Sequence, residues 1–112
     1  MTTVPDRGDV VRLAFDPQAG HEQAGHRPAL VLSPAKYNRR SGLALMCPVT
    51  SRRKGHPFEV VLPPAMRTRG VILSDQVKSL DWRARLARVI ETAPLEVTED
   101  VLAKLATLIG PT

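Results

Sequence analysis

Residues 8–34, GDVVRLAFDPQAGHEQAGHRPALVLSP, set a charged, glycine-punctuated segment between two apolar runs. In GDVVRLAF, residues 8–15, Val11, Leu13 and Phe15 recur at the two-residue period of a strand with one face buried. PALVLSP, residues 28–34, is a short and nearly continuous apolar run that Pro34 closes, and it reads as a second strand. Gly20 and Gly25 permit backbone conformations that other residues avoid. The segment between the strands, with Glu22, Gln23, His26 and Arg27, can therefore fold over a bound molecule or be displaced from it.

The same pattern continues outward. LALMCPV (43–49), PFEVVLP (57–63, with Phe58, Val60 and Leu62 together), GVILSD (70–75) and RLARVIET (85–92) are further strand candidates. Between them lie KYNRRSG, TSRRKGH and AMRTRG, built of turn residues and charge. Short, closely spaced strands without intervening helices predict a mainly β fold, a small barrel or sandwich. The period changes in TEDVLAKLATLIGP, residues 98–111, where Val101, Leu105, Leu108 and Ile109 share a helical face that Leu102 and Ala106 widen. Thr98 is the expected N-cap, Glu99 and Asp100 suit the first turn, and Gly110-Pro111 ends the helix, which is expected to close one end of the barrel.

A chain of 112 residues suits one domain, residues 1–112. Its aromatic residues are Phe15, Tyr37, Phe58 and Trp82, so the core must be mainly aliphatic, and Trp82 is better placed in a core or a dimer contact than stacked on a base. Cys47 is the single cysteine, which excludes an internal disulfide and points to a reducing compartment. No zinc-ligand spacing occurs, and no apolar run is long enough for a membrane span. A cytoplasmic protein is expected. Lys and Arg number 16 against 11 Asp and Glu, for a net charge of +5. Residues 91–112 hold four carboxylates against Lys104 alone, so the positive excess lies upstream, in Arg39-Arg40, Arg52-Arg53-Lys54, Arg67 with Arg69, and Arg83 with Arg85. Several basic loops on a small body attract a polyanion, and nucleic acid is the commonest.

GDVVRLAFDPQAGHEQAGHRPALVLSP, GHPFEVVLP, DQVKSLDWRAR and the closing helix together resemble the MazF toxins of the PemK/Kid type, ribonucleases of toxin–antitoxin pairs. The resemblance runs from about Pro5 to Gly110, with its segments in the family's order. It implies an SH3-like, partly open barrel carrying helices, acting as a symmetric homodimer. It also implies cleavage of single-stranded RNA at short specific sequences, without metal or other cofactor, leaving a 2′,3′-cyclic phosphate and a 5′-hydroxyl.

Such a reaction needs a base for the ribose 2′-OH, donors for the charge growing on phosphorus, and a proton for the departing 5′ oxygen. The resemblance implies catalytic roles for Arg27, Thr50 and Glu22. Arg27 offers a planar fork of donors that remains charged, which suits transition-state stabilisation better than proton donation. Thr50, at the end of LALMCPVT, offers a hydroxyl, and Glu22 is the candidate base. His26 is expected to orient Arg27 or touch RNA. Asp16, Gln23, Gln76 and Lys78 supply donors and acceptors for RNA, and Lys54 and His56 extend the basic track. The resemblance further implies an antitoxin of the MazE kind, whose acidic, disordered tail occupies the groove. Two other readings remain open: a non-catalytic SH3-like RNA-binding module, and a gyrase-binding toxin of the CcdB type.

Overall fold

The computed structural model describes residues 3–14 and 26–111 of the chain. Its strands are β1 (Asp9–Ala14), β2 (His26–Val31), β3 (Leu43–Thr50), β4 (Glu59–Val61), β5 (Val71–Leu73), β6 (Lys78–Asp81) and β7 (Arg88–Thr92). Its helices are α1 (Ala35–Ser41) and α2 (Leu95–Ile109). All strand pairs are antiparallel, in the order β4-β5-β3-β2-β1-β7, with β6 added on β3. The sheet is open, as the partly open barrel requires. β3 joins its two parts: Leu43 to Met46 pair with β6, whereas Val49 and Thr50 pair with Ile72 and Val71 of β5.

The central strands are apolar on both faces because both faces are covered. Val10, Leu30, Cys47, Val49 and Ile72 share one cluster with Val97, Val101 and Leu105 of α2. Val11, Leu13, Ala29, Val31 and Met46 belong to a second cluster with Leu80, Trp82 and Ala87. That is why PALVLSP is a continuous apolar run, and why Val10 is as inaccessible as its neighbour Val11. Each fully buried aliphatic side chain here stabilises the fold by roughly 1.5–3 kcal/mol. Burial, with the charge of Asp75 adding to it, pushes the Cys47 thiol up to about 12, so this cysteine is a core residue and not a reactive thiol.

Three features differ from the sequence reading, whereas Trp82 takes one of its two expected places. KYNRRSG is not a turn but most of α1, whose anchor is polar: the buried Asn38 amide donates to Pro5 O and Ser33 O and accepts from Ser33 Oγ. β6 occupies part of DQVKSLDWRAR, and Leu80 is its one buried residue, too little for an apolar period. RLARVIET is a strand only from Arg88, because Leu86 turns the chain at φ 56°. Trp82, 1% exposed, donates from Nε1 to Asn38 O at 3.0 Å and lies under the Arg83 guanidinium, which places it in the core.

α2 starts four residues before its expected first turn. Pro94, with φ −55°, sets its beginning, and Val97 N donates back to Pro94 O at 3.0 Å. Thr98 is therefore not the cap but a helical residue, 3% exposed, and its Oγ1 has no hydrogen-bond partner among the described residues. Val97, Val101 and Leu105 carry the buried face, and Leu108 and Ile109 remain exposed. A buried hydroxyl without a partner costs free energy that a methyl group of the same shape does not. Thr98→Val is expected to raise stability by about 1 kcal/mol, read as a higher urea midpoint at unchanged slope.

Candidate functional site

One end of the sheet leaves a cavity of about 830 Å³, lined by Arg12, Arg27, Pro28, Val49, Thr50, Ser51, Arg52, Arg67, Thr68, Arg69 and Ile90. Five of these are arginines, and no carboxylate is among them. No ion pair joins the five guanidinium groups to a carboxylate among the described residues.

Each wall follows from local sequence. In β2, HRPALV, the last three residues are buried and the first two exposed, so the apolar half fixes the strand while Arg27 stands at the rim opposite Leu13. Arg12, opposite Pro28, shares by strand alternation the face of Val10. Thr50 is the last residue of β3, and its Oγ1 accepts from Arg52 N at 3.1 Å. That bond starts the turn carrying Ser51 and Arg52 and leaves the hydroxyl proton free to donate. Behind Thr50, Gly70 adopts φ 117° and comes so near that a Cβ would lie 2.2 Å from Thr50 O.

The opposite wall comes from PPAMRTRG, residues 63–70. Met66 and Thr68 point inward, and Arg67 and Arg69 alternate outward with them. Met66 joins the apolar cluster under α2, whereas Thr68 is held by Glu91 of β7. Glu91 accepts from Arg67 N at 3.1 Å, Thr68 N at 2.7 Å and Thr68 Oγ1 at 2.5 Å. Partial burial raises its carboxyl, but these bonds and the Arg67 charge lower it more, so it ionises below the usual glutamate range. A lowered folded-state value means that its contribution is complete above that range and is lost as pH falls below it. Wild-type stability is therefore expected to fall on acidification more steeply than that of Glu91→Gln, measured by urea unfolding across the acid range.

Comparison with known proteins gives this arrangement a context. Residues 6–109 match the family described as PemK-like, MazF-like toxin of type II toxin-antitoxin systems. The chain belongs to this family. It is 52% identical to the endoribonuclease toxin MazF of Escherichia coli K12 over 107 residues, 96% of each chain. MazF from Deinococcus radiodurans superposes with a TM-score of 0.89 at 56% identity, over 97% of this chain and 99% of that one. A MazE–MazF complex from the same organism gives a TM-score of 0.87 at 49% identity, over 98% and 99% of the two chains.

In this MazF-like chain, Arg27 and Thr50 meet in one cavity, although β2 and β3 separate them by more than twenty residues of sequence. His26 begins β2, exposed and paired with Ala14, beside that cavity's lining but not in it. Lys54 and His56 belong to the loop after Thr50, but their partner is Glu59: Lys54 N and Gly55 N donate to its carboxylate, and His56 Nε2 lies 3.7 Å away. Burial raises the Glu59 carboxyl, yet the two N–H bonds and the charges of His56 and Arg53 hold it below its ordinary range. Lys78 begins β6 opposite Met46 of β3, and Gln76 lies in the turn before it, where its N donates to Leu73 O. Neither lines the cavity. Asp16, Glu22 and Gln23 lie outside the described residues.

Sequence reasoning passed over Arg12, Arg67 and Arg69 as site residues. The signal for Arg67 and Arg69 was their alternation with Met66 and Thr68, and for Arg12 its position as a charge between the apolar residues Val11 and Leu13. Nothing in the sequence marked Glu91.

Proposed function

We propose that this chain is a sequence-specific endoribonuclease toxin that cleaves single-stranded RNA without a metal, through attack of the ribose 2′-oxygen on the adjacent phosphorus. The observation that carries this reading is the meeting of Arg27 and Thr50 in a cavity whose described lining includes four further arginines, in a chain of the MazF-like family. A phosphate seated there accepts from the Arg27 fork and the Thr50 hydroxyl, both aimed at non-bridging oxygens where charge accumulates as the fifth bond to phosphorus forms. The 2′-OH gives its proton to a base, for which Glu22 is the candidate. The bond from phosphorus to the 5′ oxygen then breaks, that oxygen gains a proton, and a 2′,3′-cyclic phosphate and a 5′-hydroxyl result. His26 and the basic loop with Lys54 and His56, together with Asp16, Gln23, Gln76 and Lys78, serve to bind RNA beyond the reacting centre.

The chain acts as one domain and as a homodimer, with exposed Tyr37, Leu45 and Leu86 as apolar surface available for contact between copies. A MazE-like antitoxin with an acidic tail is its partner: the arginine-lined cavity suits such a tail as well as RNA, so one surface serves activity and control. No helix among the described residues is long and apolar enough to cross a membrane, and the unpaired Cys47 suits the reducing cytoplasm.

The test is incubation with a long, weakly structured RNA in EDTA, with mapping of fragment ends. Discrete cuts ending in cyclic phosphate, abolished by 2′-deoxy substitution at the cut, are expected. RNA that is bound and left intact would sink the enzymatic reading.

A further inference from the structure

Arg27 and Thr50 provide for one phosphate, but the cavity extends beyond them to a second group of cations. Arg12 reaches it from β1, and Arg67 and Arg69 from the loop before β5. All three side chains are exposed, and no ion pair neutralises them among the described residues. Gathering guanidinium groups around one cavity costs electrostatic free energy in the unliganded protein, and a bound anion recovers it. Exposed arginines in a mobile loop would simply spread apart. Here the backbone that carries Arg67 and Arg69 is held in place, because Met66 is packed in the core and Glu91 ties it down at Arg67 N and Thr68 N. The carboxylate of Glu91 feels the charge of Arg67, and its oxygens accept those bonds and one from Thr68 Oγ1.

We propose that Arg12, Arg67 and Arg69 form a second phosphate subsite, which holds the linkage flanking the scissile one, with Glu91 as the positioning residue that fixes Arg67 and Arg69. The subsite rests on the ribonuclease reading and adds to it how the substrate is registered. A nucleic-acid strand laid over Arg27 and Thr50 carries its next phosphate within the same cavity, so occupation of the subsite sets which linkage reaches the reacting centre. Its contribution is to binding, whereas Arg27 and Thr50 act in the bond-breaking step.

The probe is an oligodeoxynucleotide copy of the mapped cut site, uncleavable for want of a 2′-OH, with a neutral methylphosphonate placed at one linkage at a time. Wild-type protein is expected to bind about tenfold more weakly when the linkage beside the scissile one is neutral. Arg67→Ala/Arg69→Ala should bind charged and neutral forms alike and show a shallower dependence of affinity on salt. Its KM should rise by more than its kcat falls. Glu91→Ala retains all three arginines and should still lose most of the discrimination, which a loss of stability alone does not produce. Full discrimination in the double variant overturns the subsite, and full discrimination in Glu91→Ala overturns the role of Glu91. Equal tolerance of neutral linkages by wild type also overturns the subsite while leaving the nuclease intact. An RNA that wild type does not cut at all removes both.

Discussion

Arg27→Ala is expected to lower kcat for RNA cleavage by about 10²–10³-fold, the usual cost of removing one preorganised donor from an anionic transition state, with little change in melting temperature. Stability should hold because Arg27 is exposed and has no ion pair among the described residues, while the buried half of β2, Ala29 to Val31, anchors the strand. Affinity should fall less than kcat, because four other arginines remain in the cavity. Arg27→Lys should recover only part of the rate, since a point charge does not reproduce two parallel N–H bonds to one phosphate. Thr50 separates two roles in the same way. Thr50→Ser keeps the hydroxyl and the bond from Arg52 N, whereas Thr50→Val loses both, so only the second should cost activity. Single-turnover kinetics on a short RNA with circular dichroism of each variant decides it. A folded Arg27→Ala protein that cuts within a few-fold of wild type would remove Arg27 from the chemistry.

What the sequence revealed, and what it hid, divides along the kind of force holding each element. β1, β2, β3 and, in α2, the buried Val101 and Leu105 were legible because they are held by apolar side chains at strand or helix spacing, and these clusters follow chain periodicity. α1 was not, because Asn38 fixes it through hydrogen bonds to Pro5 and Ser33, and an asparagine among Lys, Tyr and Arg has the composition of a turn. Asp6 strengthens the same helix by accepting from Ala35 N across 29 residues of sequence, a contact no local window contains. The site divides likewise. Arg27 and Thr50 were named through the family resemblance, and strand pairing brings them together. Arg67 and Arg69 were seen only as charge, because their placement depends on Glu91, more than twenty residues away. Lys54 and His56 were placed on the basic track by sign alone, yet Glu59 engages their loop through backbone N–H groups and the imidazole. Charge in a sequence identifies the ligand class, while the direction each charge faces is decided by carboxylates elsewhere in the fold.

Gly70→Ala is expected to destabilise the protein by about 2–4 kcal/mol and, in the fraction that folds, to reduce kcat by about 10–100-fold. Two costs coincide at this position. The backbone sits at φ 117°, which side chains rarely adopt, and a Cβ would stand 2.2 Å from Thr50 O and 2.9 Å from Thr50 C. Those obstructing atoms are main chain in a paired strand, so no rotamer change relieves the contact. Relief requires β3 and β5 to part at Thr50 and Val71, or the Leu62 N bond to Gly70 O to break. The first moves the Thr50 hydroxyl relative to Arg27, and the second loosens the loop that carries Arg67 and Arg69. Gly55 supplies the control: its φ is 82°, but a Cβ there meets nothing within 4 Å. Gly55→Ala should therefore show the conformational cost alone, about 1 kcal/mol, with cleavage preserved. Urea unfolding of both variants, with kcat measured well below their melting temperatures, separates the two effects. Equal losses in the two proteins would mean that Gly70 is needed only for its φ, whereas loss of cleavage confined to Gly70→Ala would show that close packing behind Thr50 holds the catalytic hydroxyl in place.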